Sequence, residues 1–147
     1  MCSSDLFPSH DSIVKSSYIT ITNSVIVPAT GSTSVTACGF TLYDNGGASN
    51  YANASNGSLT IYPSIAGQSV QLQFSEFSSE SCDYLYVYDG TSTSATLIGS
   101  YSGSSIPSTI TANNSTGALT LRFYSDGSVV YSGFTAQASC VTLPTIS

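Results

Sequence analysis

Between Phe40 and Ala138 the apolar residues recur at every second position, in short runs broken by Gly, Pro, Asn or Asp. Leu59 and Ile61 alternate with Ser58, Thr60 and Tyr62 until Pro63 stops the run. Val70, Leu72 and Phe74 share one face, and Leu85 and Val87 lie between Tyr84, Tyr86 and Tyr88. Leu119, Leu121 and Phe123 alternate with Thr120, Arg122 and Tyr124, and Gly133 to Ala138 alternates again up to Cys140. A period of two makes a half-buried strand, and no run carries the 3.6-residue period of a helix. Asp44-Asn45-Gly46-Gly47 and Asn113-Asn114 are turn signals between runs. About eight short strands at even spacing predict an all-β fold, a sandwich or a jelly roll.

The surface chemistry excludes several functions. Charged residues make up only 7% of the chain, against about 25% in ordinary soluble domains. Ser, Thr, Asn, Gly and Tyr supply the missing polarity, which suits a secreted or cell-surface β-protein. The net charge is −6, with Lys15 and Arg122 the only permanent cations. Nothing can neutralise a row of phosphates, so no nucleic acid is expected as a partner. No apolar run approaches the roughly 20 residues of a membrane span, so no membrane insertion is expected. The one histidine, His10, lies before the strand region, which leaves no Ser-His-Asp or Cys-His arrangement within it. Glu76 and Glu80 flank one strand end without a cleft for a two-carboxylate glycosidase. The chain reads as no enzyme.

The flanks read differently. Cys2-Ser3-Ser4-Asp5-Leu6 is what TGC TCT TCC GAT CT encodes, so residues 1–6 read as translated sequencing adapter and Cys2 carries no disulfide argument. Met1 to Lys15 has neither the basic nor the apolar region of a signal peptide, so the chain is expected to be truncated here, its true leader lost. Residues 7–37 read as a flank or linker, with Tyr18–Thr22 and Ser24–Val27 as candidates for an added strand. Residues 141–147, with Pro144, read as a tail.

The most informative stretch is Phe74 to Gly90. Phe74, Phe77 and Glu80 recur every three residues, and Asp83-Tyr84-Leu85-Tyr86-Val87-Tyr88 then runs to Asp89-Gly90. With Tyr43-Asp44-Asn45-Gly46-Gly47 before it, and Gly99-Ser100-Tyr101-x-Gly103, Ile106-Pro107, Leu121-x-Phe123-x-Ser125-Asp126 and Gly133-Phe134-x-Ala136 after it, residues 38–140 resemble a CUB domain of the divergent bacterial type. The resemblance implies an all-β, antiparallel β-sandwich of jelly-roll type, in agreement with the strand count. It also implies a calcium site made of one Glu and two Asp at one end of the sandwich, carried over onto Glu80, Asp83 and Asp126. Glu76 competes for the role of Glu80, and Asp89-Gly90 reads as a turn.

There are departures from the family pattern. Gly57 or its neighbourhood stands where a second cysteine would fall, and Ser102 where a fourth would. Cys82 therefore reads as a spare thiol, buried or paired with another chain. Cys38 and Cys140 bracket the domain and are expected to pair, as adjacent termini allow; the other reading keeps both reduced and buried. The tyrosine that supports the family's ion has no secure counterpart, Tyr51 aligning near an earlier one. As the resemblance implies, calcium would order a loop edge where an acid accepts a Lys or Arg of an extracellular protein; a glycan is the other partner class. Against this stands a structural or accessory domain of a larger secreted peptidase or adhesin. Tyr84, Tyr86 and Tyr88 on one strand face read either as a packing face or as a surface for sugars or side chains. The sequons at Asn53, Asn56, Asn113 and Asn114 fall in expected loops.

Overall fold

The computed structural model describes residues 23–143. The stretch at residues 1–6, His10, Lys15, the Tyr18–Thr22 strand candidate and the tail from Pro144 lie outside the described residues. The order is β1 (Ser24–Ile26), β2 (Thr30–Thr36), β3 (Phe40–Tyr43), β4 (Asn56–Tyr62), β5 (Ser69–Ser78), β6 (Tyr84–Asp89), β7 (Thr96–Tyr101), β8 (Ile110–Thr111), β9 (Leu119–Tyr124) and β10 (Gly133–Val141). They form two five-stranded sheets, β1-β3-β10-β5-β8 and β2-β4-β9-β6-β7. The fold is an all-β sandwich.

The inward residues are those the alternation picks out. Leu59, Ile61, Leu72, Leu85, Val87, Leu119, Leu121 and Phe123 all lie in one buried cluster. The sheets meet through Phe134, whose ring lies 6.0 Å from Phe123 and 5.8 Å from Phe74. The three-residue spacing of Phe74 and Phe77 does not fit a plain strand. It is reconciled by a bulge: Thr135 pairs with Glu76 and Ala136 with Phe74, leaving Ser75 as the extra residue. One added residue shifts the pleat, so Phe77 is buried and Phe74 packs against the same core.

The flank supplies an edge strand to each sheet. β1 pairs with β3 and β2 with β4, both parallel, while the remaining pairings are antiparallel. Parallel pairing needs a crossover, and the chain meets that need by running β1 in one sheet, β2 in the other and β3 back beside β1. The crossing passes over Gly57 on the inner face of β4. A Cβ at that position would overlap the Pro28 carbonyl oxygen, so the position admits only glycine.

The register β3–β10 sets Phe40 opposite Ala138. Extended by two residues it brings Cys38 to Cys140, and the two form a disulfide with Cα atoms 5.4 Å apart. Asp44 is fully buried just after β3. Its Oδ1 accepts the Gly46 N–H at 2.8 Å, and its Oδ2 accepts the Phe134 N–H at 2.8 Å. The backbone bends close to that carboxylate at Gly133, where φ is +79° and a side chain would overlap Oδ2. The loop after β3 is thereby tied to the start of β10.

Candidate metal centre

One end of the sandwich gathers the exits of β3, β5 and β9 and the entries of β4, β6 and β10. The link from β5 to β6 is a tight turn in which the Asp83 N–H donates to the Glu80 carbonyl at 2.8 Å. The Ser79 hydroxyl donates to the Asp83 carbonyl at 3.1 Å, and the Cys82 N–H donates to Glu80 Oε1 at 3.2 Å. After β9, the Ser128 N–H donates to Asp126 Oδ1 at 3.2 Å. The Ala54 N–H donates to the Asp126 carbonyl at 2.7 Å, joining this turn to the long loop after β3.

Asp83 is fully buried. Its Oδ2 accepts the Tyr51 hydroxyl at 2.6 Å, and its Oδ1 accepts the Asp126 N–H at 2.9 Å. The same Tyr51 oxygen accepts the Glu80 N–H at 3.0 Å. The Tyr51 ring packs edge-on against Phe123 with centroids 4.8 Å apart. One hydroxyl therefore ties two of the three acids together. Burial raises the carboxyl of Asp83 above its ordinary pKa. The Tyr51 and Asp126 hydrogen bonds pull it back, while the charges of Asp126 and Glu80 push it further up. Burial, followed by the bond to Asp83, raises Tyr51 well above the ordinary phenol range, so it keeps its proton and donates.

Glu80 and Asp126 are both half-buried, and Asp83 is linked to them through the Asp126 N–H and Tyr51, its own oxygens lying outside the tightest cluster. Among the described residues, Glu80, Cys82 and Asp126 bring potential ligand atoms within 4.8 Å of one another. Cys82 is disulfide-bonded, so the spare thiol expected from the sequence does not exist and its sulfur offers no thiolate. The oxygens remain, a hard donor set that suits calcium and not a thiolate-seeking metal. Asp83 has both oxygens engaged, yet each carboxylate oxygen carries a second lone pair. Two carboxylates within 4.8 Å repel by about 3 kcal/mol at an effective dielectric near 20, less the part screened by water. Arg122 does not relieve this, since its Nε is bound to Asn56 Oδ1 at 2.8 Å. The donor set fits a divalent cation.

Other acids lie elsewhere. Glu76 accepts the Thr135 hydroxyl at 3.0 Å and is exposed on β5. Asp89, at the opposite end of β6 from Asp83, accepts the Asn113 N–H at 2.8 Å and the Asn114 amide at 2.5 Å, and so shapes a turn. Sequence reasoning left Tyr51 without a role. An aromatic residue lodged among Asn50, Ala52 and Asn53, far from any alternating run, was the available signal.

Set beside known proteins, residues 31–137 match the model of the CUB domain family. The chain belongs to the CUB domain family. This CUB domain is 43% identical over 81 residues to mouse Tolloid-like protein 2, covering 52% of this chain and 8% of that protein. It is 41% identical over 91 residues to pig cubilin, covering 58% of this chain and 2% of that one. It thus spans less than a tenth of the length of either relative. Among solved structures it is similar to the MASP-1 CUB2 domain bound to Ca2+, with a TM-score of 0.57 at 23% identity, over 69% of this chain and 90% of that one. The likeness supports the sandwich fold.

Proposed function

We propose that this CUB domain is an extracellular recognition module whose loop edge is ordered by calcium held by Glu80, Asp83 and Asp126. The observation that carries the reading is the convergence of Glu80 and Asp126, with the buried Asp83 joined to both through Tyr51 and the Asp126 N–H. Bound calcium would supply the positive charge that these acids lack. Glu80 would offer its carboxylate from the β5–β6 turn, Asp126 from the turn after β9, and Asp83 from the start of β6, where the Tyr51 hydroxyl holds it. Backbone carbonyls of residues 126–128 and water would complete the six to eight oxygens calcium takes.

The role is binding. In the described residues there is no histidine, and the acids are arranged around one another and not around a cleft. An acidic rim fits a Lys or Arg side chain of an extracellular protein partner. That the solved MASP-1 CUB2 domain is bound to Ca2+ supports the metal assignment. A second reading, a structural or accessory domain of a larger secreted protein without a ligand of its own, is favoured by the small share of each relative that this chain spans.

Unfolding in calcium and in chelator, for wild type and Asp126→Ala, tests the metal reading. At a calcium concentration 100 times the dissociation constant, wild type gains about 2.7 kcal/mol, and Asp126→Ala loses most of that gain. Equal stability of the wild type in both conditions would falsify the calcium site. Calcium stabilisation without capture of any Lys-bearing peptide at the edge would favour the accessory reading.

A further inference from the structure

The outward face of the second sheet carries a cluster that the metal edge does not use. Tyr84 and Tyr86 stand side by side on β6 with rings stacked at 5.8 Å and 22°. Strand β9 sets Tyr124 opposite Tyr84 and Arg122 opposite Tyr86. The Arg122 guanidinium carbon lies 5.1 Å from the Tyr86 ring centre and 5.7 Å from that of Tyr124. Its Nε donates to Asn56 Oδ1 at 2.8 Å. No carboxylate pairs with Arg122 among the described residues, although acids outnumber bases in the chain by eight to two.

We propose that this Tyr–Arg face binds a glycan bearing a carboxylate. A guanidinium presents five N–H donors in a planar fork that matches a carboxylate. The bond to Asn56 engages one of them and orients the plane, which leaves the terminal nitrogens for a ligand. Packing beside two rings holds the group in place, so binding freezes little side-chain freedom, and the cation–π contacts persist in the complex. The outward neighbours on β4 are Asn56, Ser58 and Thr60, hydrogen-bonding groups without an aliphatic anchor. Protein hot spots fill pockets with aromatic or aliphatic side chains. A flat sheet face edged with tyrosine rings and hydroxyls instead suits a sugar chain lying along it, its C–H faces on the rings and its hydroxyls on the polar side chains. The surface stands apart from the calcium reading, since every one of its contacts is made without the acid cluster.

The test uses the full chain at about 0.15 M salt, where distant surface charges are screened. Three probes are titrated by calorimetry and by amide chemical shifts: a hexamer of galacturonate, the same hexamer as its methyl ester, and a hexaglutamate peptide. The free-acid hexamer should shift amides of β6 and β9 in calcium and in chelator alike. The ester and the peptide should bind at least tenfold more weakly. Arg122→Gln should lower affinity for the free acid at least tenfold, and Arg122→Lys nearly as much, because the planar fork is lost. Tyr86→Ser checks the ring contribution, and its unfolding midpoint confirms that the fold is retained. Absence of binding, equal binding of the ester, equal binding of the peptide, or an Arg122→Gln variant of unchanged affinity would each overturn the proposal. Shifts confined to residues 79–83 and 125–128 would also overturn it, by placing the ligand on the loop edge.

Discussion

Replacing Tyr51 by Phe removes one oxygen and leaves the ring that packs 4.8 Å from Phe123. That oxygen makes two bonds, donating to Asp83 Oδ2 at 2.6 Å and accepting from the Glu80 N–H at 3.0 Å. The first is a hydrogen bond to a buried carboxylate, a class worth about 1.5–3 kcal/mol. The second leaves an amide without its acceptor, which costs about 1–3 kcal/mol when buried; Glu80 is half-buried, so the lower end applies. The sum is about 2.5–4 kcal/mol, a large share of the 5–15 kcal/mol that holds a domain together. Urea unfolding measured in chelator reads this loss directly. In calcium the loss should be larger, because Asp83 is no longer held where the ion needs it. A cycle with Asp83→Asn separates the bond from the packing: the two substitutions should couple by at least about 1 kcal/mol. A loss below about 0.5 kcal/mol in both conditions, or a coupling near zero, would refute the keystone role given to Tyr51.

Three further outcomes follow from single contacts. Burial raises Asp44 to a pKa of about 6 from 3.8, against the N–H bonds of Gly46 and Phe134. The folded state then binds the proton more tightly than the unfolded one, so this group's contribution to stability is full below pH 4 and is lost, by about 3 kcal/mol, as pH rises through 6; Asp44→Asn should remove that slope, and a wild type that instead gains stability over this range relative to the variant would reverse the sign. Gly57→Ala should cost about 3 kcal/mol in chemical unfolding, since its methyl meets the Pro28 backbone and not a side chain that can move; a neutral substitution would mean that the crossover between sheets lies elsewhere. Removing the Cys38–Cys140 disulfide, which spans 102 residues, should lower stability by up to about 4.7 kcal/mol in the chain-entropy account; an unchanged urea midpoint in Cys38→Ser/Cys140→Ser would show that the bridge does not constrain the unfolded chain.

The strands of the core were legible because each carries its own pattern. Leu85 and Val87, or Leu119, Leu121 and Phe123, declare an inner face without reference to any partner. The edge strand β2 has no such pattern: from Thr30 to Thr36 all but Val35 are exposed. Its place comes from pairing with β4 and from the room that Gly57 leaves for the crossing chain, both non-local facts. The bulge at Ser75 is of the same kind, since only the register with β10 shows which residue is extra.

The site divides along the same line. Asp44 read as a turn residue, and half of its chemistry is that turn, the bond to the Gly46 N–H two residues on. The other half reaches the Phe134 N–H, 90 residues away. Tyr51 meets Asp83 across 32 residues, from a loop in which no periodicity marks an inward position. Ser55 and Ser125 look like solvated loop serines, yet both are buried, and the Ser55 N–H donates to Ser125 Oγ at 2.9 Å. A chain this poor in charge builds its loop end from neutral polar groups bonded to one another, and composition cannot distinguish those from groups bonded to water. Among the described residues no buried side-chain polar atom lacks a partner. Each of these groups is therefore satisfied by another group of the protein. Deleting the Asp44 carboxylate or the Tyr51 hydroxyl takes the acceptor from the Phe134 or the Glu80 N–H, and for that reason the loop end, polar as it is, should respond to these substitutions as steeply as the apolar core.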